Sequence, residues 1–345
     1  MRVVVVGGTG ITGPSVVRRL VELGHEVRVY HSGEHEADLP DEVEHIHRPY
    51  ERGLVLEFPD ELKRPAPDVV LHMRLVGEED SRAAVEAWRG VAGRIVGISS
   101  GDVYREWGLI RRTEEGELEP VPLTEDSPLR RNLYPYRKEG GDHDDPDGLA
   151  NLYDKILVER ALMCNPELPG TVVRLPMVYG QRDYQHRLYA YVRRMDDGRP
   201  AILLEEGFAA WRAPRGLMEN VAEAIVLAVT NGLAAGRTYH VSEQDALTEA
   251  EWVRLVGEAA GWHGEVVALP AASMPAHLLS LDGEGRTARW EQHAHFDTSR
   301  IRRELGYTEP VPLGEALRRA VEWERANPPE EGSSSDPGGR FDYAA

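Results

Sequence analysis

The sequence predicts an α/β protein: a doubly wound parallel sheet followed by a smaller mixed α/β C-terminal domain. Three observations lead there. Short β-branched runs alternate with helix-periodic segments through the first half of the chain, the pattern of a parallel sheet covered by helices on both faces. A glycine-rich turn stands where the first strand meets the first helix. After Tyr179 and Gly180 the texture changes to mostly helical stretches.

Taken in order, residues 2–6, 27–31, 43–47, 69–72 and 95–99 read as strands, with helical periodicity at 14–23 and 81–88. A helical stretch at 154–163 leads into an apolar run, 171–175, expected to be another strand of the same sheet. Helices are expected at 188–195, 221–229 and 249–260, with a strand-like 238–241 that is a candidate for return to the main sheet. The last helix is expected at 313–325, stopped by Pro328 and Pro329. The chain therefore divides into a first domain, 1–178, a second, substrate-binding domain, 179–327, and a Gly/Ser-rich tail, 328–345, whose Phe341 and Tyr343 read as idle terminal aromatics.

Composition narrows the function. With 59 acidic against 40 basic side chains the formal charge is −19, which argues against nucleic acid or an anionic membrane as the main partner. The single cysteine, Cys164, excludes a disulfide framework and a cysteine-based metal site. No apolar run reaches the roughly 18 residues of a membrane span. The opening MRVVVVGG has no signal-peptide core or cleavage site, so a cytoplasmic location is expected. Only Lys63, Lys138 and Lys155 are lysines; the other basic residues are arginine, which draws attention to each lysine position.

The sharpest motif is Val6-Gly7-Gly8-Thr9-Gly10-Ile11-Thr12-Gly13. Glycine permits the tight turn, lets a pyrophosphate approach the backbone, and allows the helix to pack closely on the sheet. The amides at the helix start then face the phosphates. This is the pattern of a Rossmann-type NAD(P)-binding domain, with Gly7, Gly10, Ile11, Thr12 and Gly13 as cofactor contacts. An NAD site usually places an acidic residue about 20 residues further on. Tyr30-His31-Ser32 stand there instead, and His31 and Ser32 could hydrogen-bond a 2′-phosphate, with Arg48 as a further positive charge. The cofactor reading is NAD(P), leaning slightly to NADP.

Metal binding is not expected. The acidic segment 138–148 (KEGGDHDDPDG) lacks the spacing and terminal Glu of an EF-hand and reads as a solvated insertion. His45 and His47 alternate on a strand, as do His293 and His295, and His143 lies in the acidic segment. No H-E-x-x-H or third ligand of matching spacing accompanies them.

Several blocks in order resemble the extended short-chain dehydrogenase/reductase family, of the sugar-nucleotide epimerase/dehydratase type. They are the glycine turn; Ile98-Ser99-Ser100-Gly101-Asp102-Val103-Tyr104; Pro122-Leu123-Thr124-Glu125-Asp126; Arg174-Leu175-Pro176-Met177-Val178-Tyr179-Gly180; Glu219-Asn220-Val221-Ala222; and Asp297-Thr298-Ser299-Arg300-Ile301 through Leu305-Gly306-Tyr307. The resemblance runs from Met1 to about Asn327. It implies hydride transfer at a hydroxyl or carbonyl of a sugar-like or secondary-metabolite substrate, and a homodimer. Ser100 would hold the substrate oxygen, with Ser99 as stand-in, and Asp102 would contact substrate. Lys155 would hold the cofactor ribose and tune a tyrosine acid. That tyrosine is missing from its place: Asn151, an amide, stands four residues before Lys155. Tyr153 could substitute only if the helix starts at about residue 154, and Tyr136, in Tyr134-Pro135-Tyr136, only if the acidic insertion folds it back. The third outcome is a site without ordinary acid–base competence.

Arg182, Arg187, Arg212 and Arg215 fall where the resemblance implies a sugar-nucleotide diphosphate, to which a planar guanidinium is suited. Ala213 and Pro214 replace the usual Arg-Asp pair there. Trp88, Trp252, Trp262 and Trp323 are expected to pack, and Trp211 and Trp290 to line a pocket. The alternative function is a non-redox use of the same fold, as a regulator, isomerase or lyase; RNA binding is disfavoured by the charge.

Overall fold

Four consecutive valines give the first strand two apolar faces. In β1 (Arg2–Val6), Val3 and Val5 enter one core and Val4 and Val6 another, because successive side chains on a strand point to opposite sides. A strand buried on both faces needs helices on both. The computed structural model, which describes residues 1–34, 36–47, 53–137, 148–275, 278–279 and 285–330, supplies them.

The first half runs α1 (Gly13–Glu22), β2 (Glu26–His31), β3 (Glu44–His47), α2 (Asp60–Lys63), β4 (Val69–His72), α3 (Glu78–Trp88), β5 (Arg94–Ser100) and α4 (Arg105–Ile110). After the acidic insertion come α5 (Leu149–Leu152), α6 (Lys155–Met163), β6 (Gly170–Leu175) and β7 (Met177–Tyr179). The second half adds α7 (Tyr189–Asp196), β8 (Ala201–Glu205), α8 (Glu206–Ala210), β9 (Arg215–Leu217), α9 (Met218–Thr230), β10 (Arg237–His240), α10 (Glu249–Ala260), β11 (Glu265–Leu269), α11 (Ser299–Leu305) and α12 (Leu313–Ala326).

Seven strands form one parallel sheet in the order β10-β6-β5-β4-β1-β2-β3. The run 238–241 does return to the main sheet, pairing with β6 at its edge. Val16, Val17 and Leu20 of α1, Val221 and Ile225 of α9, and Ile301 of α11 cover one face. Ala84 and Trp88 of α3 with Val158 and Leu162 of α6 cover the other. The direction of winding reverses between β1 and β4, which opens a crevice at the carboxyl ends of those strands. Beyond Tyr179 a separate core joins Leu188, Val192, Trp252, Val256, Leu317 and Val321 of α7, α10, α12 and their flanks. Two small parallel pairs, β11-β8 and β7-β9, complete this lobe. Arg48, the acidic insertion through residue 147 with His143, and the tail from residue 331 lie outside the described residues.

Candidate active site

The glycine turn sits at the crevice. Gly7 and Gly8 adopt φ of +90° and +89°, which side-chain-bearing residues rarely adopt. A Cβ on Gly13 would collide with the main chain of Gly8, so the turn folds onto its own helix only because both are glycine. Gly10 differs: its φ is ordinary and nothing lies within 4 Å of an added Cβ. Such space beside the first turn of α1 suits a ligand brought against the backbone. A cavity of about 390 Å³ is lined there by residues 7–13, by Tyr30 and His31 at the end of β2, by Ser32 and Glu34 just beyond it, and by Met73, Arg74, Ile98, Leu175 and Tyr184. All seven cofactor contacts expected from the turn and the end of β2 therefore share one wall system. A pyrophosphate cradle fits these residues.

A second cavity, about 540 Å³, continues from the first and shares Ile11, Leu175 and Tyr184 with it. Ser100, Asp102, Tyr136 and Tyr153 all line it. Ser100 ends β5, and its Oγ accepts from the Asp102 amide at 3.3 Å. Ser99 is withdrawn, its Oγ donating to Glu159 at 2.6 Å, and Glu159 is paired with Arg174. Tyr136 OH donates to Asp102 Oδ2 at 2.8 Å, while the buried Asp102 Oδ1 has no partner.

Tyr153 enters because α6 begins only at Lys155. Asp154 is the N-cap: its Oδ1 accepts from the amides of Ile156 at 2.9 Å and Leu157 at 3.4 Å, a short polar side chain satisfying amides the helix leaves open. Tyr153 itself is extended (φ −66°, ψ 119°), so helix geometry does not turn it away from Lys155. Its ring centroid lies 5.5 Å from Lys155 Nζ and 5.2 Å from the Tyr136 ring. It lines the same cavity as Ser100 and Asp102, and the charge of Asp102 acts on its hydroxyl.

Electrostatics at this corner oppose easy ionisation of either phenol. Burial pushes both hydroxyls above the usual tyrosine value, and the negative charge of Asp102 pushes them further. Burial lowers the Lys155 ammonium, against the pull of Asp102, Asp80 and Glu159.

The other expected site residues divide between the cavities and their surroundings. Lys155 lines neither cavity. Its ammonium is buried and donates to the carbonyls of Leu75 and Ile98, the latter at 3.2 Å, so it sits behind the wall that Ile98 gives the first cavity. Arg182 reaches the glycine turn, donating to Thr9 O at 2.9 Å, and so belongs to the dinucleotide side. Arg212 turns to Ala246 O and Glu251, outside the cavities. Arg187 and Arg215 do face a third and larger cavity, about 920 Å³, which shares Trp107, Met177, Arg187 and Trp211 with the Ser100 cavity. Arg215 is paired with Glu249 and stacked 4.7 Å from the Trp252 ring; Arg187 is paired with Asp183 at 2.6 Å. Trp211 and Trp290 line this cavity as expected, their rings 5.1 Å apart, and Trp252 both packs and faces it.

Sequence reasoning missed Glu106. It lies in the first turn of α4, lines the Ser100 cavity, is almost fully buried, and its Oε2 has no partner. Burial, with Asp102 adding to it, holds its carboxyl well above the ordinary value. A carboxyl kept neutral beside a second carboxylate is a means of separating acid from base. Its place two residues after Tyr104, on the far side of a turn, carried no pattern that marked it. Arg111, Arg112 and Arg286 in the large cavity were equally unmarked, lost among many arginines.

The fold and cradle are those of a Rossmann-type α/β protein, with a second lobe beyond Tyr179. No family model matches the chain. It is 26% identical over 299 residues to 2'-dehydrokanamycin reductase of Streptomyces kanamyceticus, covering 85% of this chain and 76% of that one. It is also 26% identical over 285 residues to dTDP-glucose 4,6-dehydratase of Streptomyces griseus, covering 79% and 76%. Among solved structures it is similar to the dTDP-glucose 4,6-dehydratase of Streptomyces venezuelae with NAD and TYD bound, at TM-score 0.64, 21% identity and 95% and 98% coverage. UDP-glucose 4-epimerase of Thermotoga maritima with UDP-glucose matches at TM-score 0.64, 18% identity and 94% and 99% coverage. The chain shares the fold of epimerase/dehydratase enzymes of the extended short-chain dehydrogenase/reductase type, and its curated relatives include a reductase and a dehydratase.

Proposed function

We propose that the protein is an NAD-dependent enzyme acting on a hydroxyl or carbonyl carbon of a sugar-nucleotide-like substrate, as a reductase or an epimerase/dehydratase. One observation carries this: Ser100, Tyr153 and Asp102 converge in a cavity that shares walls with the glycine cradle. The nicotinamide, when bound, supplies the hydride acceptor or donor. Ser100 holds the substrate oxygen, and Tyr153 passes the proton to or from that oxygen. Tyr136 orients Asp102 through its hydrogen bond. Lys155 acts from beneath as a positioning charge. The upward push on the phenols keeps Tyr153 protonated at neutral pH, which favours it as an acid and hence carbonyl reduction. The aromatic and arginine lining of the large cavity suits a base and an anionic group of the substrate's remote end.

Elimination or proton abstraction is the second reading, favoured by the Asp102–Glu106 pair: one carboxyl held neutral as acid, the other available as base. For the cofactor we read NAD. Burial lowers the His31 imidazole, its ring is engaged with His45, and Glu34 lines the same wall, so the end of β2 itself offers no fixed positive charge for a 2′-phosphate; Arg74 stands across the cavity and Arg182 at the glycine turn. The sequence lean to NADP gains no support from the NAD named in the relatives' structures.

The test is to mix the protein with NAD or NADH and a panel of dTDP- and UDP-linked sugars and their keto derivatives. A change in nicotinamide absorbance shows net redox; a new product with unchanged cofactor shows epimerisation or dehydration. Dinucleotide binding without any turnover across the panel would give the fold back to the regulator reading.

A further inference from the structure

The two histidines that alternate on β3 gain partners from the neighbouring strand. In the parallel register of β2 and β3, His31 is the Cα partner of His47, and Val29 that of His45. Registered residues on adjacent strands point to the same face, as do residues two apart on one strand. His31, His45 and His47 therefore gather on one face at the open edge of the sheet. The rings confirm the gathering: centroids are 4.6 Å apart for His31–His47, 5.2 Å for His31–His45 and 6.3 Å for His45–His47. His31 Nε2 and His45 Nδ1 are 3.0 Å apart.

A fourth donor arrives on the segment after β2. Gly33, at φ +76°, turns the chain back over the rings; an added Cβ there would stand 3.1 Å from His47 Cδ2. The turn brings Glu36 Oε1 to 3.0 Å from His47 Nε2. One ligand atom from each of the four residues then lies within 4.8 Å of all the others. Four ligands at zinc's usual bond lengths stand roughly 3.3 Å apart in a tetrahedron, so modest side-chain closure completes the shell. Among the described residues this is the one group of three or more His, Cys, Asp or Glu side chains so disposed.

We propose that His31, His45, His47 and Glu36 form a binding site for a divalent transition-metal ion of the zinc class. Three imidazoles and one carboxylate suit zinc or cobalt, whereas magnesium and calcium take oxygen ligands. Four protein ligands leave no open position, which marks a structural or regulatory ion and not a catalytic one. Solvent reaches the site through His47 and Glu36, whose side chains are 53% and 57% exposed, while His31 is buried and also lines the dinucleotide cavity. The ion would thus sit in the wall of that cavity. The proposal does not rest on the enzymatic reading, because its test follows the metal alone.

The test uses the full chain without an affinity tag, stripped of metal by chelator and dialysis. Zinc chloride titrated by calorimetry should bind one ion per chain. Cobalt should give visible d–d bands of tetrahedral intensity. The double variant His45→Gln, His47→Gln should bind zinc more than roughly 100-fold more weakly, a loss beyond what outer-sphere changes produce. Glu36→Gln, an exposed change that leaves the fold intact by circular dichroism, should weaken it at least about tenfold and alter the cobalt bands. His293→Gln, His295→Gln should change nothing. Zinc affinity equal in wild type and in Glu36→Gln and the double variant, or octahedral cobalt bands in the wild type, would overturn the proposal.

Discussion

At the scale of single residues, Tyr153 and Tyr136 reach one corner by different routes but hold different bonds. Tyr136 is committed to Asp102, whereas Tyr153 shares the cavity with Ser100 and stands by Lys155. Tyr153→Phe should therefore lower kcat by about 10²–10⁴-fold, the range of a positioned acid or base. Tyr136→Phe, which removes one hydrogen bond to a carboxylate, should cost only about tenfold. Steady-state kinetics with the substrate found in the panel decides; losses in the reverse order would give the proton transfer to Tyr136. Glu106 makes a separate prediction. Its folded-state carboxyl is raised, so the folded chain holds a proton that the unfolded chain releases above about pH 4.3, and stability falls as pH rises through that interval. Glu106→Gln removes this penalty. Its Tm should exceed that of the wild type increasingly above the ordinary carboxylate range and match it more closely below. Parallel Tm–pH curves for the two chains would show that Glu106 is ionised in the fold.

At the scale of elements, the start of α6 matters most, because it releases Tyr153 from the helix. Asp154 is fully buried, caps the helix, accepts from the Tyr134 amide at 2.5 Å and lies 3.8 Å from Arg130. Asp154→Ala forfeits a cap worth about 1 kcal/mol and leaves a buried guanidinium without its carboxylate, about 3–5 kcal/mol in other buried pairs. Urea unfolding should place Asp154→Ala below Asp154→Asn, which retains a capping oxygen. The glycine turn offers a cleaner separation of fold from function. Gly10→Ala has room and an ordinary φ, so its Tm should stay near the wild type, yet the methyl enters the cradle and should weaken dinucleotide binding roughly tenfold or more. Gly13→Ala collides with Gly8 and should lose stability as well. Fluorescence titration with NADH beside thermal melts distinguishes the two.

At the scale of the whole molecule, the dinucleotide cavity, the Ser100 cavity and the arginine-lined cavity form one connected cleft across the carboxyl ends of the strands. The metal cluster touches that cleft through His31. Positive charge added there should tighten binding of an anionic dinucleotide, and by linkage the dinucleotide should tighten binding of zinc by the same factor. NADP, with its extra phosphate, should gain more than NAD. Dinucleotide affinities measured with and without saturating zinc test this; equal values would uncouple the two sites.

The strand–helix alternation, the turn and the order of the motif blocks were legible in the sequence because each is local. Valine runs, glycine spacing and helical periodicity report on residues a few positions apart, and the elements they announced are present, including the return of 238–241 to the sheet. The missing tyrosine was legible too, as Asn151 before Lys155. What replaces it was not. Whether Tyr153 could face the cavity depended on where α6 begins, and that was settled by the Asp154 cap with its distant partners Tyr134 and Arg130. The inward turn of Lys155, the raised carboxyl of Glu106 and the meeting of His31 with His45 and His47 share the same cause. Each depends on burial or on the register between strands, quantities set by residues far apart in the chain. Sequence by itself determined the fold and the glycine cradle; tertiary structure decided which side chains meet there, because only packing brings distant groups within reach and sets their charge.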